Sequence, residues 1–337
     1  MQAGEIVERV RLARERGQPL WLQGQGSRLP APAGHESLPL AGFSGIVEYD
    51  PGELAITVRC GTPLAELEAA VAEAGQALGF EASGLMRGTV GGMLACGRSG
   101  PARPWFGDLR GAVLGVAMIN GRGELLAFGG RVMKNVAGYD LSRLQCGAWG
   151  QFGPVLELSL RTRPRPPVER CLSRPCDPDR AVAEMAELQR RPWPISGLAW
   201  WQGRLYLRLW GMASGVAEAE RAFGGGEADP RFWHELREER HAGQRGWLLL
   251  LPPAAPQPGL EGDWLIDWGG GRRWYRGEAD EAAVRAAAAA AGGVALRWPA
   301  LPFDGLDADA LILHRRLKDA FDPLGLFNPG LLPGEGG

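Results

Sequence analysis

The sequence predicts an α+β protein in two parts, and three observations predict it. Over residues 1–165, helical and strand patterns alternate, and three glycine-dense loops fall where strands or helices end. A proline-rich break follows at Pro164-Arg165-Pro166-Pro167. Beyond it, over 168–305, hairpin patterns recur, each followed by a helix, which reads as a small antiparallel sheet with helices on one face.

The 337 residues are enough for roughly two domains with their own cores. With 45% hydrophobic and 23% charged residues, the composition is that of an ordinary globular chain. A formal net charge of -2 leaves no electrostatic footprint for nucleic acid or an anionic membrane. No apolar run is long enough to span a bilayer and no signal peptide is visible, so a cytoplasmic protein is expected. Five cysteines without a Cys-x-x-Cys pair, and four dispersed histidines, argue against a metal or iron–sulfur site in this chain. His234 and His241 could share a helix face, but a solvated helix is the simpler reading.

In chain order, residues 6–16 form a helix stopped by Gly17, and Pro19-Leu20-Trp21-Leu22 is a short strand. The strand runs into the first glycine loop, Gly24-Gln25-Gly26-Ser27, where successive N–H groups and a hydroxyl can converge on an anion. There is no Lys-Ser/Thr ending of the P-loop kind and no Rossmann spacing. After a Pro/Gly-rich connector, strands over 45–50 and 54–60 turn at Asp50-Pro51-Gly52. A helix from Thr62-Pro63 to Ala74 then buries Leu64, Leu67 and Val71. The second glycine loop opens the run Gly88-Thr89-Val90-Gly91-Gly92-Met93-Leu94-Ala95-Cys96-Gly97-Arg98-Ser99-Gly100, which reads either as a phosphate cradle or as a plain crossing turn. A hairpin over 113–128 follows. The third cluster comes next: Asn135-Val136-Ala137-Gly138-Tyr139-Asp140-Leu141, a short helix to Gln145, then Gly147, Gly150 and Gly153 before a strand at Val155. Three such loops suggest one elongated ligand touched along its length.

These loops occur in an order that resembles the FAD-binding domain of the vanillyl-alcohol-oxidase and p-cresol-methylhydroxylase type. Arg131-Val132-Met133-Lys134 ahead of the Asn135 run, and the closing stretch Arg316-Leu317-Lys318 to Phe327-Asn328-Pro329-Gly330, make the chain most similar to the E-subunit family of glycolate oxidase. The resemblance is strong over 1–165 and clear over 315–330. It implies a two-part FAD domain over 1–165, a cap and partner-docking domain over 168–305, and a C-terminal helix and tail, 306–337, packing back on the FAD domain.

On the same resemblance, Gly24, Gln25, Gly26 and Ser27 would hold the pyrophosphate. Gly88, Thr89, Gly91 and Gly92 would face it from the other side, Ser99 and Gly100 would approach the flavin, and Gly147, Gly150, Gly153 and Val155 would receive the adenine. Trp149 and Pro154 depart from the small or aliphatic residues of relatives. Tyr139 is read as core. With no histidine in the FAD stretch apart from His35, non-covalent FAD is expected.

The implied activity is oxidation of glycolate, a small 2-hydroxy acid, with electrons passed through a second flavin subunit and an iron–sulfur subunit. Such an assembly could sit at the inner face of the membrane. The chain lacks the His-x-Gly-Asp-Gly-Asn-x-His run that its catalytic partners carry by that resemblance, so a catalytic base is unassigned. Arg103 and Arg110 are candidates for the substrate carboxylate, with ordinary ion pairs as the alternative. A non-catalytic FAD relay or assembly subunit, and an independent oxidase of the D-lactate dehydrogenase kind, remain open. Ten of the 13 tryptophans lie from Trp193 onward, and strand alternation would put some of them on an outer, partner-facing surface.

Overall fold

The computed structural model describes residues 1–29, 31–83, 87–132, 140–243, 245–299 and 302–334. The chain divides into two compact units: Met1–Ser99 with Gly107–Arg165 and Leu306–Gly337, and Gly100–Phe106 with Pro166–Gly305.

In the first unit, α1 (Ala3–Arg16) starts in a capping box between Gln2 and Glu5 and stops at Gly17 in the left-handed region, φ 62°. Its Ile6, Val10 and Ala13 are buried, a one-sided stripe at helical spacing. Strand β1 (Leu20–Gln23) pairs in parallel with β2 (Glu36–Pro39). The second strand lies in what the sequence presents as a connector: two prolines and a glycine precede it, and it is only four residues long. A six-stranded sheet follows, from β3 (Ile46–Asp50), β4 (Ala55–Arg59), β5 (Gln76–Leu78), β6 (Val113–Ile119), β7 (Leu125–Gly129) and β8 (Val155–Pro164). Its order is β3-β4-β8-β6-β7, with β5 also on β8. Helix α2 (Leu64–Glu73) lays Leu64, Leu67 and Val71 into the sheet's core beside Met93 and Leu94 of α3 (Val90–Cys96). The short helix α4 (Arg103–Phe106) clusters with the second unit, whereas α5 (Leu109–Ala112) and α6 (Leu141–Leu144) belong to the first.

The second unit is one eight-stranded antiparallel sheet. Its strands are β9 (Val168–Pro175), β10 (Ile195–Trp201), β11 (Arg204–Gly211), β12 (Gly226–Glu227), β13 (Gly246–Leu250), β14 (Asp263–Asp267), β15 (Arg272–Arg276) and β16 (Val294–Trp298). They run in the order β12-β9-β11-β10-β14-β15-β13-β16. Read outward from the β10–β14 seam, each half repeats one order, so the strand–strand–helix pattern seen twice in the sequence becomes two mirrored halves of one sheet. Alternation along β10 sends Leu198 and Trp200 to the face covered by α7 (Pro178–Leu188) and α8 (Ala213–Phe223). It sends Ala199 and Trp201 to the other face, which α9 (Arg231–Arg237) covers with Phe232, Trp233 and Leu236. Helix α10 (Glu281–Ala290) packs Val284 and Ala288 on Leu249, Tyr275 and Ala295. The sheet is thus larger than its hairpins suggest, and α9 adds a helix to the second face.

The expected tryptophan-bearing outer surface is corrected. Trp200, Trp233, Trp274 and Trp298 are buried, the other six are half-buried, and none is exposed. With helices on both faces, neither set of alternating tryptophans is left fully exposed.

The chain returns to the first unit as α11 (Ala308–Phe321). A buried pair follows it, with Lys318 Nζ 3.2 Å from Asp322 Oδ2. Both members of this pair have further hydrogen-bond partners. Lys318 also donates to the carbonyls of Gln151 (3.3 Å) and Phe327 (2.9 Å), and Asp322 accepts from the amides of Leu326 (2.9 Å) and Phe327 (2.8 Å). A buried ion pair is tolerated when its polar atoms are satisfied in this way. Here it fixes the tail against residues 151–153.

Candidate cofactor-binding site

The first unit holds an open cleft whose empty space, counted out to its mouth, is about 930 Å³. Its walls come mostly from stretches far apart in sequence, within residues 21–29, 88–96 and 145–155 and at Asn328, with Leu40 and Cys60 beside them.

The first wall is the end of β1. Ser37 Oγ donates to Gln23 Oε1 at 2.8 Å, and Leu40 N donates to the Gln23 carbonyl at 2.7 Å, which fixes the strand end. After it, the N–H groups of Gly24, Gln25, Gly26 and Ser27 donate to no protein acceptor among the described residues. Such a run of unspent donors is what an anionic or carbonyl-bearing ligand needs. Arg28, the one charged side chain in the described lining, follows directly.

The second wall is α3 and the turn before it. Thr89 caps the helix, its Oγ1 accepting from Gly92 N at 3.1 Å. Two main-chain bonds anchor the helix start to the strand end below: Val90 N to Thr62 O (2.9 Å) and Gly91 N to Cys60 O (2.7 Å). A Cβ at Gly91 would stand 3.0 Å from Cys60, and one at Gly24 would stand 2.5 Å from Thr89 Oγ1. These glycines let the two walls approach.

The third wall, residues 145–155, is hung from α3 by Gly147 N to Leu94 O (2.9 Å) and Trp149 N to Ala95 O (3.0 Å). Gly153, at φ 125°, passes so close to Ile119 that a Cβ would lie 2.0 Å from its carbonyl oxygen. Gln145 borders the cleft and is 3% exposed, and its Nε2, shut off from solvent, has no hydrogen-bond partner.

Asn328 closes the ring. Its Oδ1 accepts from Leu22 N at 2.7 Å and its Nδ2 donates to Trp149 O at 2.7 Å. One side chain therefore sets the spacing of the first and third walls. Its own carbonyl accepts from Gln151 Nε2 at 2.7 Å, and its φ of 45° is one that asparagine tolerates better than most residues.

Of the residues singled out in the sequence, Gly24, Gln25, Gly26, Ser27, Gly88, Thr89, Gly91, Gly92, Gly150, Gly153 and Val155 line this cleft together, as do Trp149 and Pro154. Gly147 does not line it. It meets Gly97 instead, where a Cβ would fall 2.9 Å from the Gly147 Cα. Ser99 is buried and bridges to Ala82, and the Gly100 carbonyl accepts from Trp268 Nε1 at 2.9 Å within the second unit. Arg103 is exposed, its guanidinium 4.6 Å from the Trp268 ring centre. Arg110 is exposed on α5 near Cys146. Neither arginine lines the cleft. Residues 133–139, which include the Asn135 run and Tyr139, lie outside the described residues. The sequence offered no signal for Gln145, and it carried Asn328 only within a motif, because each acquires its role from a neighbour across the fold.

The described lining contains no histidine, aspartate, glutamate or lysine, and among the described residues no cluster of His, Cys, Asp and Glu could hold a metal. Burial pushes the Cys60 thiol far up, with Glu157 adding to it, and pushes Cys146 up to about 12. Both thiols are therefore neutral and poor nucleophiles. The cleft fits an elongated group with acceptors along it, offering unspent amides, a hydroxyl and one cation.

Comparison with known proteins agrees with this class of site. The family of FAD binding domains matches residues 2–129. The fold is shared with alkyldihydroxyacetonephosphate synthase, which superposes with a TM-score of 0.71 over 97% of this chain and 74% of that one, at 15% identity. The protein is thus of the FAD-binding, PCMH-type class. It is 42% identical to the glycolate oxidase subunit GlcE of Escherichia coli (strain K12), over 98% of this chain and 97% of that protein, and it belongs to the GlcE family. The glycolate oxidase subunit GlcD of Bacillus subtilis (strain 168) is 31% identical over 38% of this chain and 27% of that protein.

Proposed function

We propose that this chain is the FAD-holding subunit of an assembly that oxidises glycolate to glyoxylate. The observation that carries the reading is near full-length similarity to a glycolate oxidase subunit, joined to a cleft whose donors have no protein partner. In that cleft Gly24, Gln25, Gly26 and Ser27 would hold the pyrophosphate through their amides. Gly88, Thr89, Gly91 and Gly92 would face it across the cleft, and Gly150, Gly153 and Val155 would border the adenine end. Bound FAD supplies acceptance of two electrons from an alcohol carbon. The protein's part is to bind, orient and shield. Neutral, buried Cys60 and the absence of histidine from the described lining support non-covalent attachment.

The same lining offers no general base, which supports turnover in company with other subunits. We take those to be a second flavin subunit and an iron–sulfur subunit, with residues 168–305 as the cap and docking part. Among the described residues no helix is long and apolar enough to cross a membrane. The test is to purify the tagged chain alone and with its co-purifying partners, extract flavin under denaturing conditions, and assay dye reduction by glycolate. Releasable FAD in both samples and glycolate-dependent reduction only in the assembly are expected. A colourless folded chain that takes up no FAD defeats the proposal.

A further inference from the structure

We propose that the outward face of α11 is a self-association surface, on which a second copy of this chain lays its own α11 antiparallel to the first. The helix is covered on one side only: Lys318 and Phe321 are buried, and His314 stacks on Phe152. Turned away from them are Asp309, Ile312, Leu313 and Arg316, whose i, i+3, i+4 and i+7 spacing puts them on one face. All four are exposed. Ile312 and Leu313 are 46% and 59% exposed, two large apolar side chains adjacent where a solvated helix face carries polar ones. Asp309 and Arg316 form no ion pair among the described residues, while Arg315 is drawn aside to the Pro333 carbonyl.

The order of these side chains chooses the occupant. Along the helix they read acid, apolar, apolar, base, and from the other end base, apolar, apolar, acid. A two-fold axis passing between positions 312 and 313 therefore gathers Ile312 and Leu313 of both copies at the centre. It sets Asp309 against the second copy's Arg316 at one end and repeats that pair at the other. Opposed helix dipoles favour the same direction. Parallel pairing would instead bring Asp309 onto Asp309 and Arg316 onto Arg316. A different partner would need a matching base–apolar–acid face, which this chain already carries. One helix crossing falls short of the roughly 800 Å² per partner of a standard interface, so the dimer exchanges and depends on concentration.

Sedimentation equilibrium of the full-length chain, over roughly a hundredfold range of concentration, should show a mass rising from 36.2 kDa toward twice that value. Leu313→Gln and Ile312→Gln remove apolar contact at exposed positions, so each should weaken the dimer about tenfold without moving the melting temperature. Arg316→Asp, or Asp309→Arg, sets like charges together at both ends and should weaken it about as much. Combining the two exchanges should restore association, because each copy again meets its complement. Restoration separates this pairing from any other use of the face, since no other occupant carries the compensating change. Thermal unfolding checks each variant, and the glutamine variants decide if a charge variant does not fold. A chain that stays monomeric throughout overturns the proposal. So does a dimer untouched by the glutamine variants, or a folded double exchange as weak as the single ones. A monomeric chain whose co-purifying subunits are lost with Leu313→Gln gives the face to another protein and overturns it as well.

Discussion

Asn328 is the residue on which the cleft's width depends. Among the described residues it alone bonds both the strand end at Leu22 and the loop at Trp149, each at 2.7 Å. Asn328→Ala leaves both main-chain groups unsatisfied and puts alanine at φ 45°. A loss of roughly 2–3 kcal/mol in apo stability is expected, together with faster release of FAD. Chemical denaturation and flavin retention on a desalting column measure the two effects. Gly153→Ala should be worse, because φ 125° is closed to alanine and its Cβ would overlap the Ile119 carbonyl. A loss of about 3 kcal/mol or more is expected, read as a fall in melting temperature. Neither role follows from the glycine or asparagine alone. The FNPG stretch reads as a motif, but the partners that give it meaning lie 306 and 179 positions earlier.

At the scale of the element, α11 carries a titratable group onto a half-buried site in the first unit. His314 stacks on Phe152, ring centres 5.0 Å apart, and burial, with the Lys318 charge adding, lowers its pKa to about 4. The native state therefore favours neutral imidazole, while the unfolded chain titrates near 6.5. The stabilisation is fully present above about pH 6.5 and is lost as pH falls toward 4. His314→Phe should flatten the melting temperature across that window, whereas the wild type declines through it. In the second unit, the 3-10 turn at Trp268–Gly270 carries the chain between β14 and β15. Buried Arg272 bonds Asp267, Nε to Oδ1 at 2.8 Å, and lies over Trp268 and Trp274 at 4.4 and 5.2 Å. Asp267→Asn leaves that guanidinium without its counter-charge, and a loss of about 3 kcal/mol is expected, followed by tryptophan fluorescence. The elements themselves were mostly legible. Leu64, Leu67 and Val71 announce α2, and Gly17 announces the end of α1. Short β2 was not, since parallel pairing with β1 replaces any pattern of its own.

On the scale of the whole molecule, the two units bury their hydrophobic residues differently. The first wraps one six-stranded sheet with helices and the returning tail, while the second builds two mirrored halves about the β10–β14 seam. Four of the ten tryptophans from Trp193 onward are buried and six are half-buried, so the second unit presents no fully exposed tryptophan as an aromatic anchor. If turnover requires partner subunits, the isolated chain loaded with FAD should show glycolate-dependent dye reduction at least a hundredfold below the assembly. Adding back the partners should restore it, and an isolated chain with full activity contradicts the expectation.

Composition, periodicity and glycine spacing sufficed for the two-part α+β organisation, the dinucleotide-type loops and the family resemblance, because those features are local and repeat at short range. Only the tertiary structure decided which glycines border the cleft and which, like Gly147, merely pack. It also decided that Arg103 and Arg110 stand outside the cleft, that none of the later tryptophans is fully exposed, and that Gln145 and Asn328 border the site. The physical reason is the same in each case: a donor's role depends on whether a partner reaches it, and partners such as Asn328 and Leu22 are brought together only by the fold.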